Sequence, residues 1–110
     1  MGLKVIQWAT GNVGRAALRQ ILSHPDLELV GCLVHSDAKV GKDAGDLCRQ
    51  PATGVLATRN VDEILELEAD CVSHMPLPSA QYGDDPAVDL RDMCRILESG
   101  KNVVTTVGYL

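Results

Sequence analysis

The residues best suited to chemistry form a tight cluster near the start of the chain, Ala9-Thr10-Gly11-Asn12-Val13-Gly14. Ala9, Gly11 and Gly14 keep the spacing of the Gly-x-Gly-x-x-Gly dinucleotide fingerprint, with alanine in its first position. In that pattern Gly11 lets backbone approach a pyrophosphate and Gly14 lets a helix press against its strand. The free N–H groups of the first helical turn, around Thr10, Asn12 and Val13, would receive the anionic charge. The plainer reading is a strand-to-helix turn that uses glycine only because it is tight. Some twenty residues further on, where an NAD-selective site carries a carboxylate, stand His35 and Ser36, then Asp37, with Lys39 and Lys42 behind. Ser36 would donate to a 2′-phosphate and Lys39 would supply charge, so NADPH should bind at least as well as NADH. Asp37, swung inward, would favour NADH instead.

These residues need a frame. Lys4–Trp8 reads as a strand, Asn12 up to Pro25 as a helix with Val13, Ala17 and Ile21 on one face, and Leu27–Val34 as a second strand, nearly continuous in apolar residues. His35–Pro51 is polar loop with a short helix over Ala44–Cys48. Val55–Thr58 is expected as a third strand, Val61–Glu68 as a helix and Asp70–His74 as a fourth strand, which Met75-Pro76-Leu77-Pro78 must end. Asp85 and Pro86 start a helix that runs to Glu98 and stops at Gly100, and Asn102–Thr106 is a fifth strand. The expectation is a single α/β domain, a doubly wound, Rossmann-type parallel sheet of about five strands in the order 3-2-1-4-5. A ligand then belongs at the carboxyl ends of strands one and four.

Composition narrows the partners. The net charge of −5, with carboxylates spread along the chain, argues against a nucleic-acid surface. No apolar run is long enough to cross a bilayer and nothing resembles a secretion signal, so a cytoplasmic protein is expected. Cys32, Cys48, Cys71 and Cys94 are far apart and His24, His35 and His74 are scattered, so no metal site is expected. The thiols read as free, Cys48 alone near the surface. Trp8 reads as core. Asp84, Asp85 and Asp89 suit a helix N-terminus better than a catalytic dyad.

Taken together, IQWATGNVGRAAL, LVGCLVHSDAKVGKDAGDL, DCVSHMPLP and RILESGKNVVTTVGYL resemble the amino-terminal domain of dihydrodipicolinate reductase, and more closely the 2,4-diaminopentanoate dehydrogenase-like oxidoreductases. The last stretch is similar to that family's Gly-Thr-Thr-Gly segment, here Val104-Thr105-Thr106-Val107-Gly108. The resemblance implies that Gly11, Asn12 and Val13 lie under the pyrophosphate of NADP or NAD. It implies that the loop after strand two meets the adenosine, and that Met75, Pro76, Thr105, Thr106 and Gly108 border the nicotinamide. It also implies a carboxyl-terminal domain, absent from this chain, that holds the substrate pocket, the catalytic groups and most of an oligomer interface. The expected function is therefore the cofactor domain of an oxidoreductase acting on a small amine or imine. None of its residues is read as catalytic, and self-association through exposed apolar surface is expected. A free-standing nucleotide-binding or redox-sensing module is the alternative.

Overall fold

A computed structural model describes residues 2–77, 85 and 87–107. Four parallel strands, β1 (Leu3–Trp8), β2 (Leu27–Leu33), β3 (Cys71–His74) and β4 (Asn102–Thr105), form one sheet in the order β2-β1-β3-β4. Their register brings Leu33, Trp8, His74 and Thr105 abreast at the carboxyl edge. Everything that leaves the sheet at that row enters the same space.

Side chains alternate across the sheet, so β2 feeds two cores, Leu33 one and Cys32 the other. Ile6 and Trp8 join Leu33, Val72, Ile64 and Ile96. The last two come from α3 (Val61–Glu66) and α4 (Val88–Glu98). The opposite face packs Cys32 with Leu18 of α1 (Asn12–Ser23), Ala44 of α2 (Ala44–Leu47) and the adjoining Cys48. With no Phe in the chain, Trp8 is the largest side chain fully enclosed. At roughly 25 cal/mol per Å² buried, it is a principal anchor of the first core.

Several expectations need correction. Val55–Thr58 is not a full strand. Thr58 lies beside Leu33 where the third strand belongs, through Thr58 N–H to Cys32 O (3.0 Å) and Val34 N–H to Thr58 O (2.9 Å). The residues before it turn away to residues 41–44, with Ala57 N–H donating to Lys42 O and Ala44 N–H to Val55 O, each at 2.8 Å. The sheet order otherwise stands, with four strands instead of five among the described residues. On α1 the inward face is Gly14, Leu18 and Ile21, whereas Val13 is 56% exposed. The close approach of Gly14 to β1 sets that rotation. Helix α3 stops at Glu66, because Leu67 leaves the helix and packs with Ile64 over the bare Cα of Gly31. Helix α4 begins at Val88 rather than at Asp85. Cys48 is buried, its Sγ 3.5 Å from Ala44 O, while Cys94 is exposed on α4. Burial pushes the Cys32 thiol up to about 12 and leaves it inert.

Candidate functional site

Local backbone geometry builds the centre of the site. Ala9 holds φ +80°, a left-handed conformation that explains why the fingerprint prefers glycine there. Its carbonyl accepts a hydrogen bond from buried Gln7 Nε2 (2.9 Å). The chain then extends through Gly11 and enters α1, where Arg15 N–H donates to Gly11 O at 2.8 Å. The two glycines behave oppositely. A Cβ on Gly14 would lie 2.3 Å from Ala9 O, so helix and strand touch through that missing side chain. A Cβ on Gly11 would meet nothing within 4 Å.

The open side of Gly11 faces a cleft of about 960 Å³ at the carboxyl edge of the sheet. One wall is the turn, Ala9 to Val13. A second is the exit of β2, with His35, Ser36 and Lys39, and a third is the exit of β3, Met75 to Leu77. The fourth is Val88, Asp89 and Asp92 on the first turns of α4, with Thr106 beside them. Ten expected site residues therefore converge: Thr10, Gly11, Asn12, Val13, His35, Ser36, Lys39, Met75, Pro76 and Thr106.

Two described residues do not. Gly14 is consumed by packing. Thr105 turns inward, its hydroxyl oxygen 2.8 Å from His74 Nδ1 and accepting from Val107 N–H (3.0 Å). Gly108 and Pro78 lie outside the described residues. Asp89 and Asp92 were not anticipated as lining residues. Their spacing of three on a helix after a strand end was the available signal, since it places both on one face.

Hydrogen bonds tie the wall at the exit of β2 to the turn after β1. Lys39 Nζ donates to both the carbonyl and the hydroxyl oxygen of Thr10, each at 3.1 Å, tying the loop after β2 to the turn after β1. Asp37 does not line the cleft, and its carboxylate accepts from Arg59 at 2.7 Å on the surface. On the same wall burial lowers the His35 pKa, with Asp92 pulling it back up. Burial raises Asp92, and neighbouring Arg95 and His35 oppose that rise. His74 is fully enclosed and likewise lowered by burial. Its Nε2 and Trp8 Nε1 have no hydrogen-bond partner among the described residues. Asp85 accepts from Ala87 N–H (2.9 Å) and pairs with Arg91, so it shapes the approach to α4. Among the described residues no group of His, Cys, Asp or Glu side chains is arranged to hold a metal ion.

The family described as dihydrodipicolinate reductase, N-terminus, matches residues 5–83. An amine dehydrogenase of Streptomyces virginiae is 38% identical over 109 residues, which are 97% of this chain and 29% of that protein. The chain thus spans about three-tenths of that relative's length. Among solved structures, an amine dehydrogenase from Mycobacterium smegmatis superposes with a TM-score of 0.78 at 23% identity, over 96% of this chain and 30% of the other. A biliverdin reductase from Synechocystis sp. PCC 6803, in complex with biliverdin and NADP+, superposes with a TM-score of 0.70 at 18% identity, over 94% of this chain and 28% of the other. At those identities the two structures speak to the fold alone.

Proposed function

The chain belongs to the dihydrodipicolinate reductase amino-terminal family, and from that premise we propose that it is the nicotinamide-dinucleotide-binding domain of an oxidoreductase acting on a small amine or imine. The observation that carries this reading is the contrast between Gly14, closed against Ala9, and Gly11, open to the cleft. A turn that needed glycine only for tightness would have no reason to leave Gly11 bare. The amine relative supplies the substrate class, and the biliverdin reductase of like fold is a precedent for NADP+ on such a scaffold.

When bound, the nicotinamide carries the hydride. The chain's part is to hold and orient it. The N–H groups at the start of α1 receive the pyrophosphate charge, while Met75, Pro76 and Thr106 border the nicotinamide. Ser36 and Lys39 face the adenosine ribose. With Asp37 drawn away by Arg59, NADPH is accepted at least as well as NADH. No residue of this stretch is assigned to catalysis, which falls to a further domain of the whole protein, and the free thiols suit the cytoplasm.

Calorimetric titration with NADH and NADPH tests the assignment. Gly11→Val should weaken both at least tenfold, about 1.4 kcal/mol, with little change in thermal midpoint. Lys39→Ala should weaken NADPH about fivefold more than NADH, or ~1 kcal/mol. Unaltered binding by the Gly11 variant overturns the cleft assignment. Equal effects on both cofactors would reduce Lys39 to its tie with Thr10.

A further inference from the structure

A second groove of about 380 Å³ runs between α1 and the end of α2, with Arg15, Arg19 and Arg49 on its walls. Three arginines line it on a chain whose net charge is −5, and the one carboxylate lining the groove is that of Asp46. None of the three arginines belongs to an ion pair among the described residues, where Arg59, Arg91 and Arg95 each have an acidic partner.

Two of the arginines are already positioned. Arg19 Nε donates to Cys48 O at 2.8 Å, which fixes its guanidinium while leaving the terminal nitrogens of the fork available. Arg15 donates to Asn12 Oδ1 at 2.6 Å. The third is held at a conformational cost. Arg49 follows the last turn of α2 at φ +60°, and Gln50 N–H closes that turn onto Gly45 O (2.8 Å). This is a helix terminus where glycine is the ordinary choice. A long cation in a glycine position, lining one groove with two more cations, calls for a reason beyond the turn.

We propose that this groove is an anion site for a phosphomonoester dianion. Two arginine forks and a third cation suit the several oxygens of a phosphate better than a single carboxylate, and three positive groups against one negative leave the charge a dianion balances. The site stands on the groove itself, whatever fills the cleft. Asn12 lines both spaces, so the phosphate could arrive alone or as the 2′-phosphate of a dinucleotide.

Inorganic phosphate is the first probe, titrated into the ¹⁵N-labelled chain against chloride at matched ionic strength. Saturable shifts of the Arg15, Arg19 and Arg49 Nε–H signals are expected with phosphate alone. R19Q and R49G should each weaken phosphate at least threefold, with K42Q, outside the groove, unchanged. R49G should at the same time raise Tm by a few degrees, because glycine relieves the left-handed backbone. Loss of binding in a stabilised variant separates recognition from folding. Displacement of phosphate by NADPH but not by NADH names the 2′-phosphate as the source and moves its contact from Lys39 to the groove, and phosphate retained beside saturating NADPH names a separate phosphomonoester. Shifts that chloride reproduces, or an R49G affinity equal to wild type, would overturn the site.

Discussion

Ala9 stands in a backbone conformation that costs an L-residue roughly 1–2 kcal/mol, and its carbonyl is the surface on which Gly14 rests. Ala9→Gly should relieve that strain, partly offset by the freedom glycine adds to the unfolded chain, for a net gain of about 0.5–1 kcal/mol. Gly14→Ala should do the reverse, since its methyl would overlap Ala9 O, with a loss on the order of 2 kcal/mol. Thermal melts of the two variants check both signs. His74 makes a third prediction at this scale. Burial lowers its folded pKa below the unfolded value, so as pH falls the unfolded chain takes up the proton first. Its contribution is therefore intact above about pH 6.5 and declines as pH drops toward the folded pKa. His35 is lowered in the same direction and adds to the trend. Urea melts at pH 7.5 and 5.5 should show this loss, and His74→Gln should flatten much of it. An unchanged pH dependence in that variant would assign the effect elsewhere.

At the scale of elements, the segment from α2 to Thr58 is held by one side chain more than by any ladder. Asp43 accepts from Gly45 N–H (2.8 Å), Thr53 N–H (2.8 Å), Thr53 Oγ (2.9 Å) and Gly54 N–H (2.8 Å), so it caps α2 and closes the following loop together. The Thr53 and Gly45 N–H bonds hold its carboxyl down to about 2. This support is present above the ordinary carboxylate pKa near 3.8 and disappears as pH falls toward 2. Asp43→Ala should lower Tm and speed amide exchange across residues 43–57, with Asp43→Asn intermediate. Exchange confined to wild-type rates in that segment would show that the Thr58 bridge to Leu33 suffices by itself. The same arrangement explains why Val55–Thr58 never extends along β2. Ahead of Thr58, the Val55 carbonyl and both backbone groups of Ala57 are already committed to residues 41–44.

For the molecule as a whole, the notable surface is apolar. Leu77 at the exit of β3, Leu90 and Leu97 on α4, and Val104 on the edge strand β4 are all at least half exposed, and Cys94 stands between the two leucines on the helix. Apolar side chains exposed on both faces of this end of the sheet, with β4 its edge strand among the described residues, favour association. The isolated chain should therefore dimerise or form larger species as its concentration rises in sedimentation velocity. Val104→Glu with Leu97→Glu should return it to a monomer. A wild-type chain that stays monomeric throughout would remove oligomerisation through this surface.

The strand, turn and helix around Gly11, the order of the four strands and the end of α4 at Gly100 were all legible from sequence. The first and the last are set by residues a few positions apart, through glycine conformations and β-branched runs, and the strand order by the handedness of the crossovers. Tertiary structure alone decided the rest. Whether Thr105 faces the cleft or His74, whether Cys48 or Cys94 is buried, and whether Asp37 meets a ribose or Arg59 depend on partners tens of residues away. The burial of Cys48 follows from α2 folding back under α1, and Arg59 reaches Asp37 because Thr58 docks beside Leu33. Asp89 and Asp92 joined the cleft for the same reason: a helix presents one face, but only the sheet it packs on determines what that face looks into.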